Sequence, residues 1–146
     1  MRQQLTQNFM KSSTHNPAAE LLVPYSDTVS AITEALATAK NVLIGTHEHP
    51  DGDALGSSLA IMYALESRGV TCTVYIPDPA PDFFAYLPGY DRLTTEKPDV
   101  AAFDTVILLD YTQLPRTHLE QEVLSHGRVI SIDHHYDNTK KATINL

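Results

Sequence analysis

The chain of 146 residues is 42% hydrophobic and 19% charged, the composition of one ordinary globular domain that can bury roughly 68–70% of its unfolded surface. Its formal net charge of −8 argues against a broad electrostatic grip on long nucleic acid, and no apolar run reaches the length of a transmembrane helix, so we expect neither long nucleic acid nor a membrane as a partner. With the single cysteine Cys72 and no apolar signal-peptide core near the N-terminus, we predict a cytoplasmic protein without an internal disulfide.

The predicted elements begin after a polar, aperiodic segment, 1–24, which we expect to be a flexible tail. A helix that Asp27 or Thr28 caps is then predicted from the one-face spacing of Val29, Ile32, Leu36 and Ala39. A second helix, which Gly69 is well placed to end, is predicted from the spacing of Leu55, Leu59, Met62 and Tyr63.

Runs of apolar or alternating residues predict four strands, at 42–45, 70–76, 106–109 and 128–132. A short helix between the last two is predicted from Leu119, Val123 and Leu124. The segment 77–98 carries five of the nine prolines and is predicted to be mostly loop, with a short turn packed on the core at Phe83, Phe84, Tyr86 and Leu87. Strands that alternate with helices predict an α/β fold, a three-layer α/β/α arrangement around a mainly parallel sheet.

Three of the predicted strands lead directly into carboxylate and imidazole side chains. In open parallel sheets, ligands bind beyond the carboxyl ends of the strands, and these ends meet at one edge of the sheet. We therefore expect one cluster there, made of His47, His49, Asp51 and Asp53 after the first strand, Asp110 after the third, and Asp133, His134 and His135 after the fourth.

The residue types in this cluster indicate a metal site. Four aspartates at close quarters repel one another, and two divalent cations would cancel their charge. Oxygen and imidazole ligands together suit manganese, with zinc, cobalt or iron as competitors and magnesium less well matched. Two such ions roughly 3.5–4 Å apart are a known device for in-line attack on phosphorus.

Each piece also has a structural interpretation. Asp-Gly-Asp could be a tight turn in which Asp53 caps a helix, and Asp110 alone could be an ordinary residue at a strand end. Only the joint pattern favours a metal site. The histidines outside the strand ends, His15, His118 and His126, are expected on the surface, and Cys72 is expected to be a small core side chain.

Three ordered motifs resemble those of the DHH phosphoesterases: HEHPDGDA at 47–54, Asp110 within VILLDYTQLPR, and the sequence Asp133-His134-His135. The resemblance extends from about residue 28 to the end of the chain. It is strongest to the branch of oligoribonucleases and 3′-phosphoadenosine 5′-phosphate phosphatases.

The resemblance implies a site for two divalent cations, most naturally Mn²⁺. It assigns the first metal to His47 and Asp51, the second to Asp53 and His134, and a bridging position to Asp110.

The resemblance also implies roles beside the ions. Asp133 would support the ligands or lie close to the metals, and His135 would contact the scissile phosphate. Arg116 and Asn138 stand where the family carries polar residues that contact substrate. His49 would make a supporting hydrogen bond without binding an ion.

The function implied is that of a manganese-dependent phosphodiesterase and phosphatase, a 3′–5′ oligoribonuclease and bisphosphate nucleotidase, which hydrolyses short oligoribonucleotides and nucleoside 3′,5′-bisphosphates by two-metal activation of water. A cyclic dinucleotide phosphodiesterase and a non-catalytic module that binds metal or nucleotide remain alternatives. The full-length protein is compatible with a homodimer.

The family also carries an aspartate beyond the DHH motif and a separate C-terminal substrate-binding domain. We therefore expect residues 25–146 to be the N-terminal part of a DHH domain, and these 146 residues to have little activity by themselves.

Overall fold

A computed structural model describes residues 23–146, so nearly all of the expected tail at 1–24, and His15 with it, lies outside the described residues. Within that range the chain forms three α-helices: α1 (Ser26–Ala37), α2 (Gly52–Glu66) and α3 (Glu120–Ser125). It also forms six strands: β1 (Asn41–Gly45), β2 (Thr71–Tyr75), β3 (Leu93–Thr94), β4 (Thr105–Leu109), β5 (Val129–Ile132) and β6 (Ile144–Asn145). None of the helices described is long and apolar enough to cross a bilayer.

All six strands are parallel and lie in the order β3-β2-β1-β4-β5-β6. The chain builds outward from β1 through β2 to β3, returns to place β4 on the other side of β1, and continues through β5 to β6. The strand order therefore reverses between β1 and β4, where the crevice of a parallel sheet forms. The parallel α/β fold expected from the sequence is confirmed.

The core lies on both faces of the sheet, because successive side chains of a strand point in opposite directions. Val42 and Ile44 of β1 pack on the face that α1 and α2 cover, with Ile32 and Met62 among their neighbours. On the opposite face a second cluster joins β1 and β4 to α3 and the turns before it, through Leu43, Val106, Leu108, Leu119 and Val123. The sheet is thus the middle of three layers.

The loop after β1 and the start of α2 are held by one carboxylate. Oδ1 of Asp51 accepts hydrogen bonds from the backbone N–H groups of Asp53, at 2.9 Å, and Ala54, at 3.1 Å. Asp51 is therefore the N-cap of α2, the position that the structural interpretation gave to Asp53. At the other end, Gly69 follows the helix in a left-handed conformation, with φ of 82°.

Several details differ from the sequence-based prediction. Helix α1 begins at Ser26 without a side-chain cap from Asp27 or Thr28. Strands β3 and β6 were not predicted, because two residues are too few to show a period. His126 is half-buried rather than on the surface: its Nε2 lies 3.0 Å from the carbonyl oxygen of Phe103. Cys72 lies in the core, where burial raises the pKa of its thiol to about 11.

The proline-rich turn after β2 is also less buried than expected. Leu87 packs against the core and Phe84 is half-buried. The side chains of Phe83 and Tyr86 are instead exposed, at 72% and 75%.

Candidate metal centre

The clustered carboxylates and histidines lie at the carboxyl ends of β1, β4 and β5, three adjacent strands of the sheet. Strand β1 ends two residues before His47, β4 ends directly before Asp110, and β5 ends directly before Asp133. Because parallel neighbours in register end at the same edge, the three segments meet at the switch point between β1 and β4.

Asp110 is the centre of the cluster. Its side chain is only 8% exposed, and its backbone has a φ of 52°, in the left-handed region. Oδ2 lies 3.8 Å from Nε2 of His47, while Oδ1 lies 3.6 Å from Nδ1 of His135 and 3.8 Å from Nε2 of His134. One buried carboxylate therefore faces three imidazoles that come from two other loops.

The first group of possible ligands consists of His47, Asp51 and Asp110, whose ligand atoms all lie within 4.8 Å of one another. Nδ1 of His47 lies 2.6 Å from the carbonyl oxygen of Glu48. An Nδ1–H donor in this contact leaves the lone pair of Nε2, the atom that faces Asp110, free for a cation.

The second group consists of Asp110, His134 and His135, again with ligand atoms within 4.8 Å of one another. The two histidine rings stack with centroids 4.6 Å apart. Asp53 approaches this group from α2, since its Oδ2 lies 3.7 Å from Nδ1 of His134. The two groups share Asp110, which stands between them.

Behind the second group lies a chain of hydrogen bonds. The buried carboxylate of Asp133 accepts from Nδ1 of His135 at 2.7 Å and, through its other oxygen, from the amide of Asn138. Oδ1 of Asn138 in turn accepts from the backbone N–H of Lys140 at 2.7 Å and from the hydroxyl of Tyr111 at 3.4 Å. Asn138 thus holds Asp133, and Asp133 holds the ring of His135.

Behind the first group lies an ionic network. Nη2 of Arg116 lies 3.2 Å from Nδ1 of His47, and its Nε lies 3.8 Å from a carboxylate oxygen of Glu48. The other carboxylate oxygen of Glu48 lies 3.0 Å from Nε2 of His118. The sequence-based site omitted Glu48 and His118. Only Glu48 could have been considered from the sequence, because it lies inside the first motif between two histidines.

His49 lies away from these contacts. Its backbone has a φ of 54°, and its N–H donates to Oδ2 of Asp78 at 2.8 Å. This turn directs the ring outward, where 84% of it is exposed and Nδ1 lies 3.6 Å from the same Asp78 oxygen. Within residues 23–146 the expected hydrogen bond from His49 to a ligand is therefore not made.

The pKa values of three aspartates in the cluster are shifted, each for a different reason. Burial, with the negative charges of Asp53 and Asp51 nearby, raises the pKa of Asp110. The backbone N–H of Ala54, helped by that of Asp53, holds the pKa of Asp51 below its usual range. Burial opposes ionisation of Asp133, but hydrogen bonds from Asn138 and His135 outweigh it and lower the pKa. The hydrogen bond that His135 donates to Asp133 raises the pKa of His135.

The residues fit a divalent cation. Oδ1 of Asp110 is buried and has no hydrogen-bond partner among the described residues, although a buried polar atom ordinarily has one. A cation would satisfy this atom and offset the repulsion among Asp51, Asp53 and Asp110. The atoms that would bind the cation are carboxylate oxygens and imidazole nitrogens. This mixture suits manganese, iron, cobalt or zinc better than magnesium.

Comparison with known proteins agrees with this geometry. Residues 41–146 match the family model described as DHH family, N-terminal domain. Over 117 residues, 80% of its length, the chain is 32% identical to the bifunctional oligoribonuclease and PAP phosphatase NrnA of Thermus thermophilus, and it covers 35% of that protein.

A solved structure is also similar. The crystal structure of an exopolyphosphatase-related protein from Bacteroides fragilis superposes with a TM-score of 0.77 at 26% identity, which covers 83% of this chain and 38% of that one. The chain thus spans little more than a third of the length of these two proteins.

Proposed function

The chain belongs to the DHH family, and from this premise we propose that it forms the metal-binding part of a phosphoesterase. One observation carries the proposal: buried Asp110, one oxygen of which has no partner within residues 23–146, faces three histidines at the switch point of the sheet. Such a cluster of titratable groups at the expected ligand crevice is a candidate active site on physical grounds.

The metals proposed are two divalent cations, most naturally Mn²⁺. The first would be held by His47 and Asp51 and the second by Asp53 and His134, with Asp110 shared. The two groups of possible ligands that meet at Asp110 support this assignment for His47, Asp51 and His134. The 3.7 Å approach of Oδ2 of Asp53 to Nδ1 of His134 supports it for Asp53. Two divalent cations at such a site neutralise phosphate charge and supply a nucleophile from water.

His135 is proposed to contact the scissile phosphate. Because Asp133 accepts the hydrogen bond from Nδ1 of His135, the ring is oriented and its protonated form is favoured. The Nε2–H group is then available to donate to a phosphate oxygen as negative charge develops.

Arg116 is proposed to add a positive charge beside His47. Asn138 contributes through Asp133, since its side-chain oxygen and nitrogen are already bonded within the chain.

The substrates proposed are short oligoribonucleotides and nucleoside 3′,5′-bisphosphates. The Thermus relative, an oligoribonuclease and PAP phosphatase, supports this class. The net charge of −8 is compatible with a small substrate, because a short phosphate ester bound by cations requires no basic track along the surface. We further propose a cytoplasmic location, and a second domain that binds substrate together with residues 25–146.

The test is a hydrolysis assay on the protein as the cell makes it, with added Mn²⁺. The panel contains a dinucleotide, 3′-phosphoadenosine 5′-phosphate, a cyclic dinucleotide and pyrophosphate. We expect turnover of the first two, abolished by Asp110→Ala and retained in Asp91→Ala, a change at an exposed carboxylate outside the centre. Faster hydrolysis of the cyclic dinucleotide than of the other compounds would instead favour a cyclic dinucleotide phosphodiesterase.

Turnover that persists in Asp110→Ala would overturn the site assignment. Metal or nucleotide binding without turnover of any panel member would favour the non-catalytic module. The 146-residue chain, assayed in parallel, is expected to show little activity, and full activity there would contradict the need for a second domain.

A further inference from the structure

The segment 77–88, which follows β2, leaves the sheet at the same edge as the metal centre. Strand β2 pairs with β1 in parallel, so its carboxyl end lies beside the loop that carries His47 and Asp51. The segment contains four prolines, which restrict its backbone. The sheet topology therefore places a stiff, proline-rich segment along one side of the candidate active site.

Two contacts hold this segment against the metal-binding loop. Oδ2 of Asp78 accepts the hydrogen bond from the backbone N–H of His49 at 2.8 Å. The ring of Phe84 packs on Gly52 so closely that a Cβ placed there would lie 3.2 Å from Cε1 of the ring. Gly52 stands between Asp51 and Asp53 in the sequence, so the ring packs on the backbone of the loop that carries these two residues.

Phe84 in turn supports an exposed aromatic side chain. The rings of Phe83 and Phe84 have centroids 4.3 Å apart and planes inclined at 44°. Among the described residues Phe83 remains 72% exposed, and Tyr86, three residues on, is 75% exposed. Two exposed aromatic rings on a segment that packs against the loop of a candidate active site indicate a binding surface.

The charge of the segment indicates which part of a substrate would bind to its exposed rings. Residues 77–88 contain no lysine or arginine, and their two charged residues are Asp78 and Asp82. These carboxylates disfavour a phosphate group and are compatible with the uncharged, amino-bearing face of a nucleobase. An aromatic ring is the side chain on which bases stack, independently of their sequence.

We infer that Phe83, supported by Phe84, is the platform on which a nucleobase of the substrate stacks while the phosphate lies at the metal centre. This inference rests on the proposed function and makes it more specific: it assigns a residue outside the metal centre to the base of the substrate. Phe83 is then a specificity-determining residue for the ester hydrolysed at Asp110.

The test compares two substrates on the protein as the cell makes it: a dinucleotide, and the same compound with one base removed. Phe83→Leu keeps an apolar side chain but removes the ring, while Phe83→Tyr keeps the ring and serves as the matched control. We expect Phe83→Leu to lower kcat/KM for the dinucleotide by about 5- to 100-fold, and to have little effect on the abasic compound. Phe83→Tyr should resemble the wild-type protein with both.

A second readout reports stacking without turnover. The fluorescence of a 2-aminopurine base in a non-hydrolysable dinucleotide can be followed as the dinucleotide binds. We expect quenching on binding to the wild-type protein and to Phe83→Tyr, and loss of quenching with Phe83→Leu.

The outcomes separate this inference from the proposed function. If the wild-type protein hydrolyses the dinucleotide but Phe83→Leu reduces both substrates equally, stacking is overturned while the phosphoesterase assignment stands. If Phe83→Leu instead changes the oligomeric mass or the melting temperature and leaves quenching intact, the ring covers a protein interface and the inference is wrong. If the wild-type protein hydrolyses no phosphate ester, the proposed function itself fails.

Discussion

At the scale of single residues, the groups that would touch metal or substrate are supported by side chains whose polar atoms are already hydrogen-bonded within the protein. Asp133 is buried and bonded through both oxygens, to His135 and to Asn138. Such outer partners fix the orientation of the groups that touch metal or substrate, and their loss typically costs about 10–100-fold in affinity or activity.

Asn138→Ala is therefore expected to lower kcat by roughly 10–100-fold, with a smaller change in KM, because His135 loses its orientation while the binding surface is kept. Asn138→Asp provides the matched comparison, since it keeps the shape but turns an oxygen rather than an N–H toward the Asp133 carboxylate. We expect the aspartate variant to lose more activity than the alanine variant in steady-state kinetics. A purely steric role would give the reverse order.

Residue identity predicted much of this site because metal ligands are few in kind. Asp110 and His134 were expected from their types and from their places after strands. Asn138 was expected to touch substrate. Its bond to Asp133 depends on the course of the chain between them, which the residue types do not reveal.

At the scale of secondary structure, the elements that could be predicted are those with a clear period. Strands β1, β2, β4 and β5 and all three described helices were expected close to where they occur. Strands β3 and β6 exist because the neighbours β2 and β5 offer a free edge, and this pairing is tertiary. The N-cap of α2 is Asp51 rather than Asp53 for a similar reason, because the capping residue depends on the conformation of the loop after β1.

Substitution of two glycines tests how closely the turns beside α2 pack against it. Gly69 and Gly89 both have a positive φ, of 82° and 84°. A Cβ at Gly69 would meet no atom of the described residues within 4 Å, whereas one at Gly89 would lie 2.9 Å from the hydroxyl oxygen of Tyr63. Gly69→Ala is expected to cost about 1–2 kcal/mol of unfolding free energy from backbone strain alone. Gly89→Ala should cost about 1 kcal/mol more, because the far ends of the Tyr63, Met62 and Leu59 side chains must give way.

Urea denaturation of both variants measures this difference in unfolding free energy. Equal losses in the two variants would mean that these side-chain ends move aside at no measurable cost.

At the scale of the whole molecule, the acidic protein gathers four aspartates at one edge of the sheet: Asp51, Asp53, Asp110 and Asp133. Asp51, Asp53 and Asp110 repel one another, and this repulsion is one cause of the raised pKa of Asp110. A cation that binds only the folded state stabilises it by mass action, by about 2.7 kcal/mol at a concentration 100 times its Kd.

Addition of Mn²⁺ to metal-free protein is therefore expected to raise the Tm by roughly 5–10 °C, as measured by calorimetry, and a chelator should reverse the shift. Asp110→Asn should abolish this shift, because it removes the shared ligand, while Asp91→Asn should retain it. An equal shift in both variants would place the stabilising ion elsewhere on the molecule.

The sequence alone determined the fold class and the edge of the sheet at which chemistry collects. Both follow from local patterns: apolar runs make strands, and the residues directly after a strand must lie at its end. The tertiary structure decided which of those side chains meet. It turned His49 toward Asp78, joined Asn138 to Asp133, and set Phe84 against Gly52. These contacts depend on how separate loops pack together, and packing of residues distant in the chain leaves no period in the sequence.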